Sequence, residues 1–218
     1  QVITLGNGLY YEKQIKDIGV PIHFVSASKN RMGRFLSIFS IIKEIQPSII
    51  QAQQFFTNLY AAVPGRLLAI PHIGAIRSNG AHEVMDTGRV LGKLSLYLPK
   101  YIAANSHSGL DYARLMGVSE KRLRLLPNVI DTEIFSPISV AQTSDVVTIL
   151  SIGNLTLPDK RMDLLIQAAD VLRRKTNIHF QVKIVGEGAM LSKLQTLGKT
   201  NGLFPNIVNF IEKQIQIE

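Results

Sequence analysis

The sequence predicts an α/β protein made of two Rossmann-like units with parallel sheets, the second of them incomplete. Three observations lead there. Short apolar, often β-branched runs alternate with amphipathic stretches along almost all of the 218 residues. The runs are mostly unbroken rather than alternating, as in strands buried on both faces of a parallel sheet. A polar, aperiodic stretch at 135–145, FSPISVAQTSD with Pro137, separates two such series.

In order, the strand candidates are 2–5, 20–26, 48–52, 72–77, 101–105 and 122–126, then 146–152, 180–185 and 207–211. Helical patterns occupy 9–18, 33–46, 56–69, 88–97 and 107–116, then 160–175 and 188–200. The 33–46 segment places Phe35, Ile38, Phe39, Ile42 and Ile45 on one face, and 160–175 does the same with Met162, Leu165, Ile166, Ala169 and Leu172. The expected division is a first domain at 1–137, a linker at 138–145 and a second domain at 146–218. Three strands in the second unit would leave an apolar sheet edge uncovered. Together with a start at Gln1, this reads as a fragment.

Composition narrows the function classes. Apolar residues make up 46% of the chain and the mean hydropathy is +0.16, enough for filled cores. No apolar run approaches the roughly 18 residues of a membrane span. With no cysteine there is neither a disulfide nor a thiolate metal site. The five histidines are scattered without metal-ligand spacing, so no metal is expected. The net charge is +8, and residues 1–137 hold 15 Lys/Arg against 9 Asp/Glu, so the excess lies in the first unit. That suits a phosphorylated substrate or an anionic membrane surface. Aromatics are 7%, Trp is absent and no nucleic-acid recognition motif occurs, so no nucleic-acid partner is expected.

The most informative stretch is 149–165, ILSIGNLTLPDKRMDLL. An apolar strand reaches Gly153; a polar loop with Pro158 and Asp159 follows; Lys160 and Arg161 are expected to open a helix. A cation in a first helical turn costs about 0.3–1 kcal/mol against the helix dipole. Two of them make sense in front of an anion, which free N–H groups and Lys160 would hold. The competing reading sends both side chains into solvent, neutralised by Asp159 and Asp163. Gly153 is read either as a tight turn of positive φ or as a point of close approach to a diphosphate. Gly186-Glu187-Gly188 is read as a strand-to-helix turn, with or without a ligand beside it.

LPNVIDTEIFSP (126–137), ILSIGNLTLPDKRMDLLIQA (149–168) and VKIVGEGAMLSKL (182–194), in this order, resemble the retaining GT-B glycosyltransferases of family four (glycosyl transferases group 1). The resemblance is strong over about 120–215 and weaker over 40–120. It implies an enzyme that moves a sugar from a nucleoside-diphosphate sugar to a glycan or lipid-linked acceptor, retaining the anomeric configuration. The first domain would be the acceptor side and the second the donor side, closing about the linker. The donor contacts it implies are Gly153, Asn154, Lys160, Arg161, Gly186 and Gly188. The nucleotide sugar is a co-substrate; no cofactor or metal is implied. The setting implied is cytoplasmic, peripheral at the inner face of a membrane, with polysaccharide or lipopolysaccharide synthesis as the context.

The departures are specific. Asn154 stands where the family has arginine, and Arg161 where glycine is frequent. Gln51 and Gln53 stand where histidines are frequent. Arg77 takes the place of a histidine near the reacting sugar and is the candidate catalytic residue, while His72, at the far end of the same strand, is read as structural. The family's first strand would precede Gln1 and its paired glutamates would follow Glu218. Asn128 and Asp131 are expected to shape a turn through side-chain to backbone bonds, with Val129 needing no left-handed backbone. Lys29, Arg31 and Arg34 are read as a solvated helix start or a contact for a membrane or anionic acceptor, and Arg173, Arg174 and Lys175 as dipole compensation. The alternative to a transferase is a non-catalytic nucleotide- or anion-binding α/β module; a basic membrane-adhesion module is a third reading.

Overall fold

The computed structural model describes residues 1–6, 10–26, 30–136 and 146–211. The chain divides into two compact units, Gln1–Val129 and Ile130–Glu218. The linker expected at 138–145 lies outside the described residues.

The first unit holds two parallel sheets. β1 (Val2–Thr4) pairs with β2 (Ile22–Phe24), Val2 opposite Ile22. β3 (Ile50–Gln51), β4 (His72–Ile76), β5 (Tyr101–Ala104) and β6 (Leu123–Leu125) follow one another in chain order, each parallel to the last. The helices are α1 (Glu12–Asp17), α2 (Arg31–Ile45), α3 (Asn58–Leu67), α4 (Gly80–Thr87), α5 (Arg89–Tyr97) and α6 (His107–Leu115). Their buried faces meet the sheets in two cores, one around Phe55, Ile76, Leu96 and Ile102, the other around Val25, Ile38 and Ile42.

The second unit is one parallel sheet, β7 (Val147–Ile152), β8 (Phe180–Val185) and β9 (Val208–Ile211), with α7 (Met162–Lys175) and α8 (Leu191–Thr200). Ile166 of α7 and Leu194 of α8 meet Val182, Ile184 and Val208 in a third core. Among the described residues β7 pairs only with β8, and it exposes Val147, Leu150 and Ile152. Among the described residues β7 and β9 are the edge strands of this sheet, and the exposed large apolar side chains are on β7. Leu150 and Ile152, two residues apart, leave one face of β7 exposed where coverage on both faces is expected of the sheets.

The strands of the described residues fall where the apolar runs predict them. α4 lies where no helical period is visible, because only Gly80 and Val84 of its eight residues are buried. Its signals are polar: Asn79 caps it by accepting the Ala81 N–H at 3.0 Å, and Gly88, at φ 98°, ends it. Gly88 is also the residue from which α5 starts, so the two helices share one flanking residue. Gly92 lets them cross closely, since a Cβ there would lie 2.2 Å from the Val84 carbonyl oxygen. At the end of α7, Arg173 and Arg174 both bind the buried carboxylate of Asp170. They neutralise that group as well as lying at the helix's negative end.

Candidate functional site

At the carboxyl edge of the second sheet, two loops lie against each other. The Gly153 N–H still bonds the Val185 carbonyl at 3.0 Å, extending the ladder by one residue. Leu155, fully buried, donates its N–H to the Glu187 carbonyl at 3.0 Å, and its own carbonyl accepts the Met190 N–H at 2.8 Å. Gly186 and Gly188 have φ of 150° and 149°. A Cβ on Gly186 would fall 2.0 Å from the Gly153 oxygen, and one on Gly188 would fall 2.4 Å from the Leu155 carbonyl carbon. Both glycines are thus required for the loops to meet.

Gly153 differs. Its backbone is not among those of positive φ, which removes the tight-turn reading. A Cβ there would meet only the Met162 methyl at 3.2 Å and Lys160 Cγ at 3.6 Å, both on flexible side chains. The backbone angle does not demand the glycine; a methyl here would press on the end of the buried Met162 side chain, and the Lys160 stem lies beside it.

The helix expected from 160 starts two residues later. Pro158–Lys160 forms a 3₁₀ turn, and Arg161 then takes a left-handed conformation at φ 48° and ψ 39° before α7 begins at Met162. A left-handed residue costs about 1–2 kcal/mol with any side chain but glycine, asparagine or aspartate. The two cations separate at this point. The Arg161 guanidinium binds Asp163 twice, Nε to Oδ1 at 3.1 Å and Nη2 to Oδ2 at 3.0 Å, and holds that carboxyl below its ordinary range. The Leu164 N–H bonds the Arg161 carbonyl at 3.0 Å, so the opening of α7 rests on backbone rather than on a side-chain cap. Of the two readings of Arg161, facing an anion or being neutralised by Asp163, this pair is the second. Lys160 is exposed and, among the described residues, forms no ion pair or hydrogen bond. Asn154 is exposed, and its Oδ1 is taken by the local turn, accepting the Thr156 N–H at 2.9 Å and the Thr156 hydroxyl. The cation offered by this edge is Lys160, beside Gly153.

The first unit gathers a second polar cluster at the carboxyl ends of β3, β4 and β5. Arg77, the residue after β4, donates from Nη2 to Gln53 Oε1 at 3.2 Å. Its carbonyl accepts the Asn105 side-chain N–H at 2.9 Å, and its own N–H reaches Glu83 Oε1 at 3.1 Å. Burial raises the Glu83 carboxyl above its ordinary value, against the opposing pull of the Arg77 and Ser78 N–H groups. Gln53 and Arg77, both candidates from the sequence, come together. Glu83 and Asn105 join them without standing out in the sequence, although an acid four residues after the Asn79 cap and an Asn-Ser pair closing the β5 run were available signals.

The remaining candidates are scattered. His72 is buried at the opposite end of β4, its Nδ1 2.9 Å from the Ile70 carbonyl, as a structural residue would be. Gln51 lies within β3 and is exposed. Asp131 accepts the Glu133 and Ile134 N–H groups at 2.9 and 3.3 Å, as expected of a turn residue. Asn128 is exposed and makes no such bond among the described residues, and Val129 has no left-handed backbone. Lys29 lies outside the described residues. Among the described residues no group of three His, Cys, Asp or Glu could hold a metal ion, and no helix is long and apolar enough to cross a membrane.

The fold is of the GT-B type: two Rossmann-like α/β units, each presenting polar loops at the carboxyl ends of a parallel sheet. No family model matches the chain. Among solved structures it is similar to Anabaena HepE in complex with UDP-glucose, with a TM-score of 0.74, 14% identity, and coverage of 98% of this chain and 61% of that one. It is also similar to the lipopolysaccharide outer core galactosyltransferase WaaB in its apo form, with a TM-score of 0.64, 16% identity, and coverage of 96% and 57%. Among curated proteins it is 32% identical over 88 residues to a phosphatidylinositol N-acetylglucosaminyltransferase subunit of Arabidopsis thaliana, 40% of this chain and 19% of that protein. The chain thus spans about a fifth of that curated relative and about three fifths of the solved structures.

Proposed function

We propose that the chain is part of a glycosyltransferase that moves a sugar from a nucleoside-diphosphate sugar to a glycan or lipid-linked acceptor, with retention at the anomeric carbon. The observation that supports this most is the Lys160 stem lying beside Gly153 at the carboxyl edge of β7. There the stem of a lysine without an ion-pair partner among the described residues lies next to a glycine whose backbone angle does not demand it. In this reading the second unit is the donor side. The bond from the sugar's anomeric carbon to the diphosphate breaks, the acceptor oxygen forms the new bond, and the acceptor proton passes to the departing phosphate. Lys160 stabilises the charge that builds on that phosphate, which makes a divalent metal unnecessary. The first unit is the acceptor side, with Arg77 held by Gln53 and Asn105 as its candidate contact. The cation excess of residues 1–137 supports peripheral contact with an anionic membrane at the inner face, where a lipid-linked acceptor would be met.

Titration calorimetry with UDP and GDP tests the donor side. Weak binding is expected, reduced several-fold by Lys160→Ala; equal affinity of the two proteins would remove the assignment. A second reading, a non-catalytic nucleotide- or anion-binding module, is favoured by the uncharged Asn154, whose Oδ1 is taken by Thr156, and by the engagement of Arg161 with Asp163, which leave one cation for the phosphates. Release of UDP from UDP-glucose by the intact gene product, in the presence of acceptor, separates the two.

A further inference from the structure

The loops that leave the carboxyl ends of β3, β4 and β5 are rich in amides and free of acids. They read AQQFFT (52–57), RSNGAH (77–82) and NSHSGL (105–110). The one permanent cation in them is Arg77. Two helices start at this edge, α4 at Gly80 and α6 at His107, and the positive end of each lies there. Asn79 and Ser106 cap them by accepting the Ala81 and Gly109 N–H groups at 3.0 and 3.2 Å.

Arg77 is held without being neutralised. The guanidinium groups of Arg114, Arg161, Arg173 and Arg174 are all bound to carboxylates. Among the described residues that of Arg77 forms no ion pair, and its one bond runs from Nη2 to the Gln53 carboxamide oxygen at 3.2 Å, which leaves Nε and Nη1 without a partner. Glu83 is the acid whose charge acts on it. Yet Glu83 Oε1 takes the Arg77 backbone N–H at 3.1 Å, and its Oε2 is buried with no hydrogen-bond partner among the described residues. Burial also favours the neutral form of that carboxyl, so the guanidinium is compensated still less. A carboxamide fixes an arginine without cancelling its charge. The N–H groups that remain are those that take up carboxylate or phosphate oxygens.

We propose that Arg77, positioned by Gln53, seats an acidic group, the carboxylate or phosphate of an acidic sugar, carried by the substrate of the first unit. The inference rests on the acceptor-side reading above and gives that acceptor a chemical class. A neutral glycan would leave a fixed cation, in loops without an acid, facing no opposite charge. Gln53 acts through Arg77: it holds the guanidinium and, being uncharged, leaves it free to meet an anion.

The test is NMR of the full chain carrying isotope-labelled arginine, following the Arg77 Nε–H resonance. The probes are methyl glucuronoside, methyl glucoside, inorganic phosphate and UDP. The glucuronoside is expected to shift the resonance saturably, at least about tenfold more tightly than the glucoside, and to be displaced by phosphate. Gln53→Glu keeps an oxygen for Nη2 but makes it a carboxylate, and is expected to weaken the glucuronoside at least about tenfold. Gln53→Ala frees the guanidinium without cancelling it and is expected to weaken binding only a few-fold. Gln53 is exposed, and an unchanged thermal melt verifies folding of both variants. A purely structural role for Gln53 predicts the reverse order, since a glutamate holds the arginine better than an alanine does. That reverse order, or equal affinity for glucuronoside and glucoside, would overturn the proposal. A tighter response of Arg77 to UDP than to the glucuronoside would assign the oxyanion to the donor and overturn it as well. UDP binding that depends on Lys160, with Arg77 indifferent to the glucuronoside, would remove this seat alone. Glucuronoside binding by a chain that binds no UDP would support the seat and remove the transferase reading.

Discussion

The carboxamide of Asn58 binds the backbone of Ala75 as a neighbouring strand would. Its Oδ1 accepts the Ala75 N–H at 2.7 Å and its Nδ2 donates to the Ala75 carbonyl at 3.1 Å. β3 ends too early to reach that part of β4, so the side chain at the start of α3 completes the ladder. Nδ2 also donates to the Ser95 carbonyl at 3.1 Å, tying α5 to the same point. Asn58→Ala would strand three buried backbone groups, and a destabilisation of about 2–4 kcal/mol is expected. Urea unfolding monitored by circular dichroism measures it; a loss under about 1 kcal/mol would mean that water or a backbone shift replaces the amide.

The three glycines at the carboxyl edge of the second sheet should behave differently. Gly186→Ala and Gly188→Ala are each expected to cost several kcal/mol, because the new methyl collides with rigid backbone at a φ that only glycine adopts readily. Gly153→Ala should leave the melting temperature almost unchanged yet weaken UDP several-fold by filling the space beside Lys160. Parallel melts and calorimetry decide it, and a large stability loss at 153 would return that glycine to a purely structural role.

Arg161 and Lys160, adjacent in sequence, should separate in function. Arg161→Gly removes a left-handed arginine and an exposed ion pair, two effects of about 1 kcal/mol that oppose each other. Stability and UDP affinity should both stay near wild type. If this variant instead loses UDP as deeply as Lys160→Ala, the guanidinium leaves Asp163 when nucleotide binds.

Glu83 gives a pH signature. Burial raises its carboxyl in the folded state above the ordinary 4.5, so the folded chain holds the proton more tightly than the unfolded one. The stability this contributes is present below that value and is lost as pH rises through the raised one. Glu83→Gln keeps an oxygen for the Arg77 N–H and has no charge to bury. The variant should match wild type in acid and gain on it as pH climbs above the carboxylate range. Unfolding free energies across that range check the sign; a gap that narrows with rising pH contradicts it.

Much of this fold is legible as sequence because β-branched apolar runs and helical periodicity report burial directly, as the runs ending at Ile76, Ala104 and Val185 do. α4 is not legible in that way, since a short helix with one large buried side chain leaves little period, and its polar end signals have to be read instead. The polar residues at the carboxyl edge of the second sheet stand out in the sequence, but what each of them contacts does not. Whether a cation faces a ligand or a neighbouring acid depends on the left-handed turn at Arg161, and a string of letters does not display a backbone angle. Likewise Gly153 and Gly186 look alike in sequence, yet a methyl at one meets a flexible thioether and at the other a carbonyl.

Gly88 serves α4 and α5 at once, which leaves no slack between them. A length change of one residue at that joint would swing α5 by about a quarter turn about its own axis. Val90 and Leu94 would then be carried away from solvent, and the small side of the helix would lose its seat on Val84. Evolution can therefore recolour this corner by substitution but cannot readily lengthen or shorten it, and an insertion scan through 86–90 should find little tolerance where a surface loop would accept almost anything.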